Sequence, residues 1–429
     1  MKKLTLITTA VIYISLHSFA QGGWTICNAP TSSRVDDLFM VDTQTGYAVN
    51  GNKILKTTDG GDNWFIVRQD TMSGRSIEFI NAQKGFAGGL NYSSTGSFIL
   101  FKTLDGGAIW TDITSLLDPR AGGGICGLSI PDSNTIYGCG NYFQDSAYIV
   151  KSIDGGITWS FIDMHMYATS LIDMYFLNKD TGFATGKGLL PLETAVILYT
   201  TDGGQTWTYK FQNTVTIEYC WKIQRLTSQV YFASIEDEFI TGAPSQILKS
   251  TDGGMTWNIQ TVHPLNHNIQ GIGFIDSLKG WTGGWNNSFE SNDGGVTWDS
   301  VNVCPGMNRV FKVNDSLLFA SGFGIWKYSA SSTGITPTVS QVPHYASLHC
   351  YPNPASKNLS IDVTLLKSTR ALIILRDNNG KRIKVIDNSN KSKGVYQYQL
   401  NTDNLSDGIY YIVLRTHENG DTEKVVVRH

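Results

Sequence analysis

From residue 21 to residue 329, apolar positions come in short runs closed by turn residues, the spacing of β-strands. Blade-like units repeat one scheme. An apolar stretch ends in Asp or Asn, a turn leads to Gly plus an aromatic, and a third strand runs into a Gly-Gly turn. The stretch Ile272 to Asp276, then Lys279-Gly280-Trp281, then Phe289-Glu290-Ser291 ahead of Asp293 shows it plainly. Phe39 to Asp42, Phe79 to Asn81 and Phe176 to Asn178 open other copies in the same way.

The Gly-Gly turn carries the repeat. Lys-Thr-Thr-Asp-Gly-Gly-Asp-Asn-Trp ends at Trp64, and related phrases end at Trp110, Trp159, Trp207, Trp257 and Trp298. Their aspartates, Asp59, Asp105, Asp154, Asp202, Asp252 and Asp293, lie 41 to 50 residues apart, the length of one four-stranded propeller blade. Glycine supplies positive φ, the Asp accepts hydrogen bonds from the turn, and the Trp plugs the outer strands. A carboxylate repeated in every blade marks structure rather than one active site. The pattern resembles the Asp-box, or BNR, repeat across residues 21–329, and it implies an all-β fold.

A seventh unit is split between the ends of this region. Val310 to Tyr328 supplies three strands without a box, and Gly22 to Cys27 looks like the tail of one. A strand from the N-terminus would then complete the last blade and close a seven-bladed β-propeller without an exposed edge.

Lys2 and Lys3 precede an apolar run from Leu4 to Leu16, and Ser18-Phe19-Ala20 offers a signal peptidase site. Residues 1–20 are therefore expected to be a signal peptide, cut between Ala20 and Gln21. Nothing after it is apolar enough to span a membrane. Residues 330–347, rich in Ser, Thr and Pro, read as a linker. Residues 348–429 alternate apolar runs and turns as a small Ig-like β-sandwich does.

That last module carries Tyr351-Pro352-Asn353-Pro354, the turn Asn379-Gly380-Lys381, Leu405-Ser406-Asp407-Gly408-Ile409-Tyr410 and a terminal Lys424-Val425-Val426-Val427. It closely resembles the type A C-terminal sorting domain of the type IX secretion system. The resemblance implies passage through the periplasm and across the outer membrane by the type IX machinery, to the cell surface or the medium. In that family the domain is usually then removed and the cargo joined to surface lipopolysaccharide.

Charge separates the two parts. Residues 345–429 hold 12 Lys and Arg against 8 Asp and Glu, whereas residues 21–344 hold 19 against 28. An acidic propeller argues against nucleic-acid binding. No Cys-x-x-Cys or His-rich pattern suggests a metal, and no cofactor is expected. Cys126 and Cys139 are placed symmetrically about the turn Pro131 to Asn134, so they are expected to face each other and to be able to form a disulfide. Cys27 and Cys304 form a second candidate pair.

Asp-box turns lie on one face of such a ring, so function is expected on the other. Loops joining second to third strands are longest at Leu90 to Gly96, Asn141 to Ala147, Gly186 to Thr194 and Ile235 to Ser245. Near that mouth, Arg34, Arg75 and Arg309 begin the first strands of three neighbouring blades. They could clamp an anion, or each could cap its own loop or pair with an acid such as Asp36 or Glu78. Trp221 and Trp285 could contact a ligand there, as could His165, Glu218, Tyr219, His263 and His267.

Two function classes follow. The propeller resembles Asp-box propellers of the photosystem II assembly factor type, which implies a non-catalytic module binding a glycan, peptide or protein at its mouth. The alternative is a glycoside hydrolase of the sialidase or xyloglucanase kind. Sialidases carry Phe-Arg-Ile-Pro before the first box, where this chain has Ser33-Arg34-Val35-Asp36. Hydrolysis would need two facing carboxylates, to be sought among Glu193, Glu218 and Glu236-Asp237-Glu238.

Overall fold

The computed structural model describes residues 23–330 and 346–429, apart from 32, 70–71, 92–98, 141–145, 238–241, 286, 378–381 and 417–419. The expected cleavage junction at Ala20 and Gln21 lies outside the described residues, as do most of the linker and the Asn379-Gly380-Lys381 turn.

Seven four-stranded antiparallel sheets form a closed ring. Blade one runs through Val35–Met40, Gly46–Asn50, Lys53–Thr57 and Phe65–Gln69, and blades two to six repeat that order outwards from the axis. Blade seven takes Arg309–Asn314, Leu317–Gly322 and Gly324–Ser329 from the end of the propeller and Gly23–Ile26 from its beginning. Gly23 pairs with Ser329 and Ile26 with Trp326, so the N-terminal strand supplies the outer edge that the last repeat lacks. The architecture is the one the repeat implied.

The six boxes share the hydroxyl, carboxylate and Gly-Gly core of the turn, and four of them, at Trp64, Trp207, Trp257 and Trp298, add an indole N–H bond to the second glycine carbonyl. In blade one the Thr57 hydroxyl donates to Asp59 Oδ1 (2.9 Å) and accepts the Gly61 N–H (3.0 Å). Asp59 also accepts the Asn63 N–H (3.0 Å), and the Trp64 indole N–H donates to the Gly61 carbonyl (3.0 Å). Both glycines have positive φ in every box, from +69° to +89°, which explains why no other residue replaces them. Several of these turns are also tied to the blade before them. Lys56 Nζ donates to Gly106 O (2.7 Å), Lys151 to Gly203 O (2.9 Å) and Lys249 to Gly294 O (2.6 Å).

Beyond the linker, strands Ala346–Tyr351, Asn358–Leu365 and Gly394–Asn401 form one sheet of a sandwich. Arg382–Lys391, Thr369–Asp377, Gly408–Arg415 and Gly420–Val427 form the other. Strict alternation in Ala346–Tyr351 sends Ala346, Leu348 and Cys350 inward. The core between the sheets, including Leu359, Ile361, Ile373, Ile412 and Val425, is drawn entirely from residues 346–427. Among the described residues, none of the propeller's apolar clusters includes a residue of this domain.

Neither candidate disulfide is present in this structure: all six cysteines are free thiols. A β-bulge between Ile125 and Gly127 corrects the expectation that Cys126 and Cys139 face each other. The extra residue slips the register, so Cys139 stands opposite Gly127 instead of Cys126. Both thiols are buried, and burial pushes Cys126 up to about 11.

Candidate binding face of the propeller

The same bulge recurs near the start of the innermost strand in blades one to six. Each inserts a residue without a cross-strand partner at one level of the ring, and these include Asp36, Arg75, Trp221 and Gln270. Bulges re-aim side chains. Here they bring together residues from blades that are not neighbours. Trp221 of blade five donates its indole N–H to Asn308 Oδ1, ahead of blade seven (2.8 Å), and Asn308 Nδ2 donates to Asp36 of blade one (2.8 Å). Arg75 of blade two donates to the same Asp36 oxygen (3.0 Å) while its guanidinium stands 5.2 Å from the Trp221 ring.

The three sequence-predicted arginines do converge, on carboxylates of the channel itself. Arg34 donates to Asp36 through Nε (2.8 Å) and Nη2 (2.6 Å), reaches Gln270 through Nη1 and stacks 4.3 Å from Trp285. Arg309 donates to Asp37 (2.7 Å) and crosses the channel to Asp173 (3.0 Å). Burial alone would raise the Asp36 carboxyl, but Arg34 and Arg75 overcome that and hold it below its ordinary value. Burial would likewise lower Arg309, yet Asp173 and Asp37 raise it. Lys222, lowered by burial, lies 3.9 Å from Asp173. Of the two arrangements open to the arginines, pairing with nearby acids is the one present.

Sequence reasoning missed Asp37, Asp173, Lys222, Gln270 and Asn308. A signal exists: each of the five lies within a few residues of the start of a first strand, the kind of position that Arg75 and Arg309 occupy. What the sequence hides is the bulge, which decides whether such a residue faces the axis or the neighbouring blade.

Of the predicted aromatic and titratable groups, Trp221 and Tyr219 are buried and Trp285 is half-buried. His165 is exposed on blade three and lies 2.9 Å from Asp163. His263 and His267 meet at 2.9 Å beside blade six, and burial depresses His267 to about 3.

Glu218 stands opposite Asp237 in the register of blade five. Both are buried, and burial, with the Asp237 charge adding, pushes Glu218 up to about 8. Asn213 Nδ2 donates to it. Glu193 pairs with Lys187 (3.3 Å) and Glu236 accepts from Gln270 (2.6 Å). Glu238 lies outside the described residues.

Among the described residues, two cavities bear on these groups. One, of about 230 Å³, occupies the Asp-box end of the axial channel, lined by Phe39, Tyr175, Arg225, Phe311 and Glu78. Burial pushes Glu78 up to about 8. The other, of about 480 Å³, lies between blade six and the C-terminal domain, with His263, His267 and Asn287 on one side and Tyr411, Asp421 and Lys424 on the other. Neither is bordered by Glu218 or Asp237.

Of the four long loops on the mouth face, Gly186 to Thr194 is described throughout. Its tip carries Leu190 and Leu192, 61% and 51% exposed, on either side of Pro191. The others fall partly outside the described residues.

These features define an Asp-box β-propeller joined to a C-terminal sorting domain. Residues 349–428 match the family model of the secretion system C-terminal sorting domain, and residues 154–264 match that of the photosynthesis system II assembly factor YCF48. Among solved structures, the chain is similar to YCF48 bound to D1 peptide, at 19% identity and TM-score 0.52 over 73% of this chain and 96% of that one. It is similar to YCF48 from Cyanidioschyzon merolae at 17% identity and TM-score 0.54, covering 71% of this chain and 98% of that one. U3-55K gives 8% identity and TM-score 0.53, with the same coverage of 71% and 98%. At such identities these likenesses show the fold. No curated protein matches the sequence. The sorting domain marks the chain for secretion. Among the described residues, no helix is long and apolar enough to cross a membrane.

Proposed function

We propose that this chain is an exported, non-catalytic binding module whose propeller captures a protein or peptide at its mouth face. The type IX machinery carries it through the periplasm to the outer-membrane surface or the medium by way of residues 348–429. The observation that carries the binding reading is the division of labour at the mouth. The arginines are engaged by Asp36, Asp37 and Asp173, so they do not present an anion clamp, while Leu190 and Leu192 are held out to solvent. Exposed apolar side chains on the rim suit a protein partner. The similarity to a propeller solved with a peptide supports that choice over a glycan.

One observation favours a hydrolase as second reading: Glu218 and Asp237 are opposed acids, and one has a displaced pKa. Both are buried, which leaves no place for a glycosidic bond between them.

The full chain, tested on peptide and glycan arrays with hydrolysis assays on the same sugars, separates these readings. Saturable peptide binding without turnover, weakened at least about tenfold by Leu190→Asp with Leu192→Asp, is the expected result. Turnover that Glu218→Gln abolishes would establish the hydrolase. Deleting residues 346–429 in the native host is expected to hold the propeller in the periplasm; continued appearance outside the cell would refute the export route.

A further inference from the structure

Where the C-terminal domain meets the propeller, two arginines are buried. Arg415 is 6% exposed and Arg376 3%. Arg415, at the end of the strand Gly408–Arg415, donates through Nη1 to Asn268 Oδ1 and through Nη2 to the Asn266 carbonyl (3.2 Å). Burial lowers both guanidiniums, and the charge of Asp237 opposes this in each.

The acceptors belong to the propeller and are fixed by the propeller. Asn266 Nδ2 donates to Asp237 Oδ2 (2.9 Å), and Asn268 Nδ2 donates to the Asp237 carbonyl (2.8 Å). Asn266 Oδ1 accepts the Asn268 N–H (2.7 Å), and Asn268 takes the left-handed conformation, φ +50°, that Asn tolerates. With both amide donors committed to Asp237, the Asn268 side-chain oxygen and the Asn266 carbonyl are left facing outward. Two fixed acceptors with a carboxylate behind them suit a planar, forked donor.

The domain that fills this hollow is not built into the ring. Among the described residues the two domains share no apolar cluster, and a cavity of about 480 Å³ separates His263, His267 and Asn287 from Tyr411, Asp421 and Lys424. The propeller closes without it, through its own N-terminal strand. Losing the C-terminal domain would leave the acceptors in place and take away the guanidinium.

We propose that the hollow formed by Asp237, Asn266 and Asn268 is a guanidinium site, filled by Arg415 in the full chain and taken by an arginine of a partner protein once the C-terminal domain is displaced. This rests on the reading of the propeller as a protein-binding module and names the chemistry of one contact. The same contact makes the C-terminal domain a plug that withholds the site until export is complete.

The test uses the full chain, the full chain carrying Arg415→Ala and Arg376→Ala, and two probes, acetyl-Gly-Arg-Gly-amide and its lysine counterpart, titrated by calorimetry. The double variant is expected to bind the arginine probe at least about tenfold more tightly than the wild type does, and more tightly than the lysine probe. Adding Asp237→Asn or Asn268→Ala should weaken that binding about tenfold or more. The two substitutions are read separately, each beside its unfolding midpoint, so that one misfolded variant does not decide the matter. Equal binding to wild type and double variant, no binding to the double variant, or equal binding of the lysine probe overturns the proposal. A propeller that binds array peptides but ignores the arginine probe defeats this inference alone and leaves the protein-binding reading standing.

Discussion

Asp36 and Arg75 meet across the boundary between blades one and two, with Arg75 Nη1 3.0 Å from Asp36 Oδ1 and both side chains largely out of solvent. The same carboxylate holds Arg34 and Asn308, so a single acid compensates two guanidiniums at the mouth of the channel. Breaking a buried pair by removing one partner strands the other charge. Asp36→Ala is therefore expected to destabilise the chain by about 3 kcal/mol, read as a lower urea midpoint. A change within about 0.5 kcal/mol would show that water screens these arginines and that they remain available to a ligand.

The box aspartates give the propeller an acid limit. Hydrogen bonds from Asn63 hold Asp59 at about 2, and those from the threonines four residues on do the same for Asp202, Asp252 and Asp293. An unfolded Asp titrates near 3.9. Their contribution is thus fully present above about pH 4 and is lost as pH falls toward 2. Unfolding midpoints recorded between pH 5 and pH 2 should fall steadily, and replacing Asp59, Asp202, Asp252 and Asp293 by Asn should flatten the curve. An unchanged slope in that variant would show that the turns hold without their charges.

Glu218 acts with the opposite sign. Its ordinary value of 4.5 is raised to about 8, so between those values the folded chain keeps a proton that the unfolded chain has lost. Stability falls as pH rises through that window and levels off above it. Glu218→Gln keeps the shape and removes the ionisation. It should gain a few kcal/mol over the wild type at pH 8.5 and match it near pH 4.5. A constant difference at both pH values would contradict the buried-acid account.

Much of this protein is legible before any coordinate. Asp59, Gly60, Gly61 and Trp64 announce a turn whose chemistry is local, and local chemistry survives translation from sequence to fold. The closing strand was also readable, because Gly23 to Ile26 is a box tail without a box. Cys126 and Cys139 show where such reading stops. Their symmetry about a turn assumes an unbroken ladder, and one inserted residue overturns it. The axial network is hidden for the same reason: Asp36, Asp173 and Arg309 are far apart in sequence, and only a closed ring of bulged strands sets them within hydrogen-bond reach. The docking of Arg415 on Asn268 leaves no trace in sequence pattern, since it joins two units that fill separate cores.

At Gly61 the box meets the neighbouring blade. A Cβ there would lie 2.3 Å from Cε1 of Phe319 in blade seven, and its φ is +86°. Gly61→Ala combines backbone strain with a clash against a buried ring, at a cost of about 2 kcal/mol or more. Gly60→Ala, at φ +72°, meets its nearest neighbour at 3.1 Å and should cost less. Denaturant midpoints for the two variants order them; the reverse order would mean that Phe319 moves aside freely.

Ring closure rests on a short strand with one large anchor. Trp24 packs edge-on to Trp281 with ring centroids 5.1 Å apart and lies 5.5 Å from Tyr328, its partner in register. It thereby joins the first residues of the propeller to blades six and seven. Truncating a half-buried Trp removes aromatic contact and leaves a void, worth about 2 to 3 kcal/mol. The loss falls on a strand held by a single neighbour, so Trp24→Ala should open blade seven before the rest of the ring unfolds. Limited proteolysis is then expected to cut first within residues 309–329, where the strand edge is newly exposed, while Trp64→Ala, anchored in a box, lowers global stability without that local signature. Cuts spread evenly around the ring in the Trp24 variant would show that the closing strand holds without its anchor.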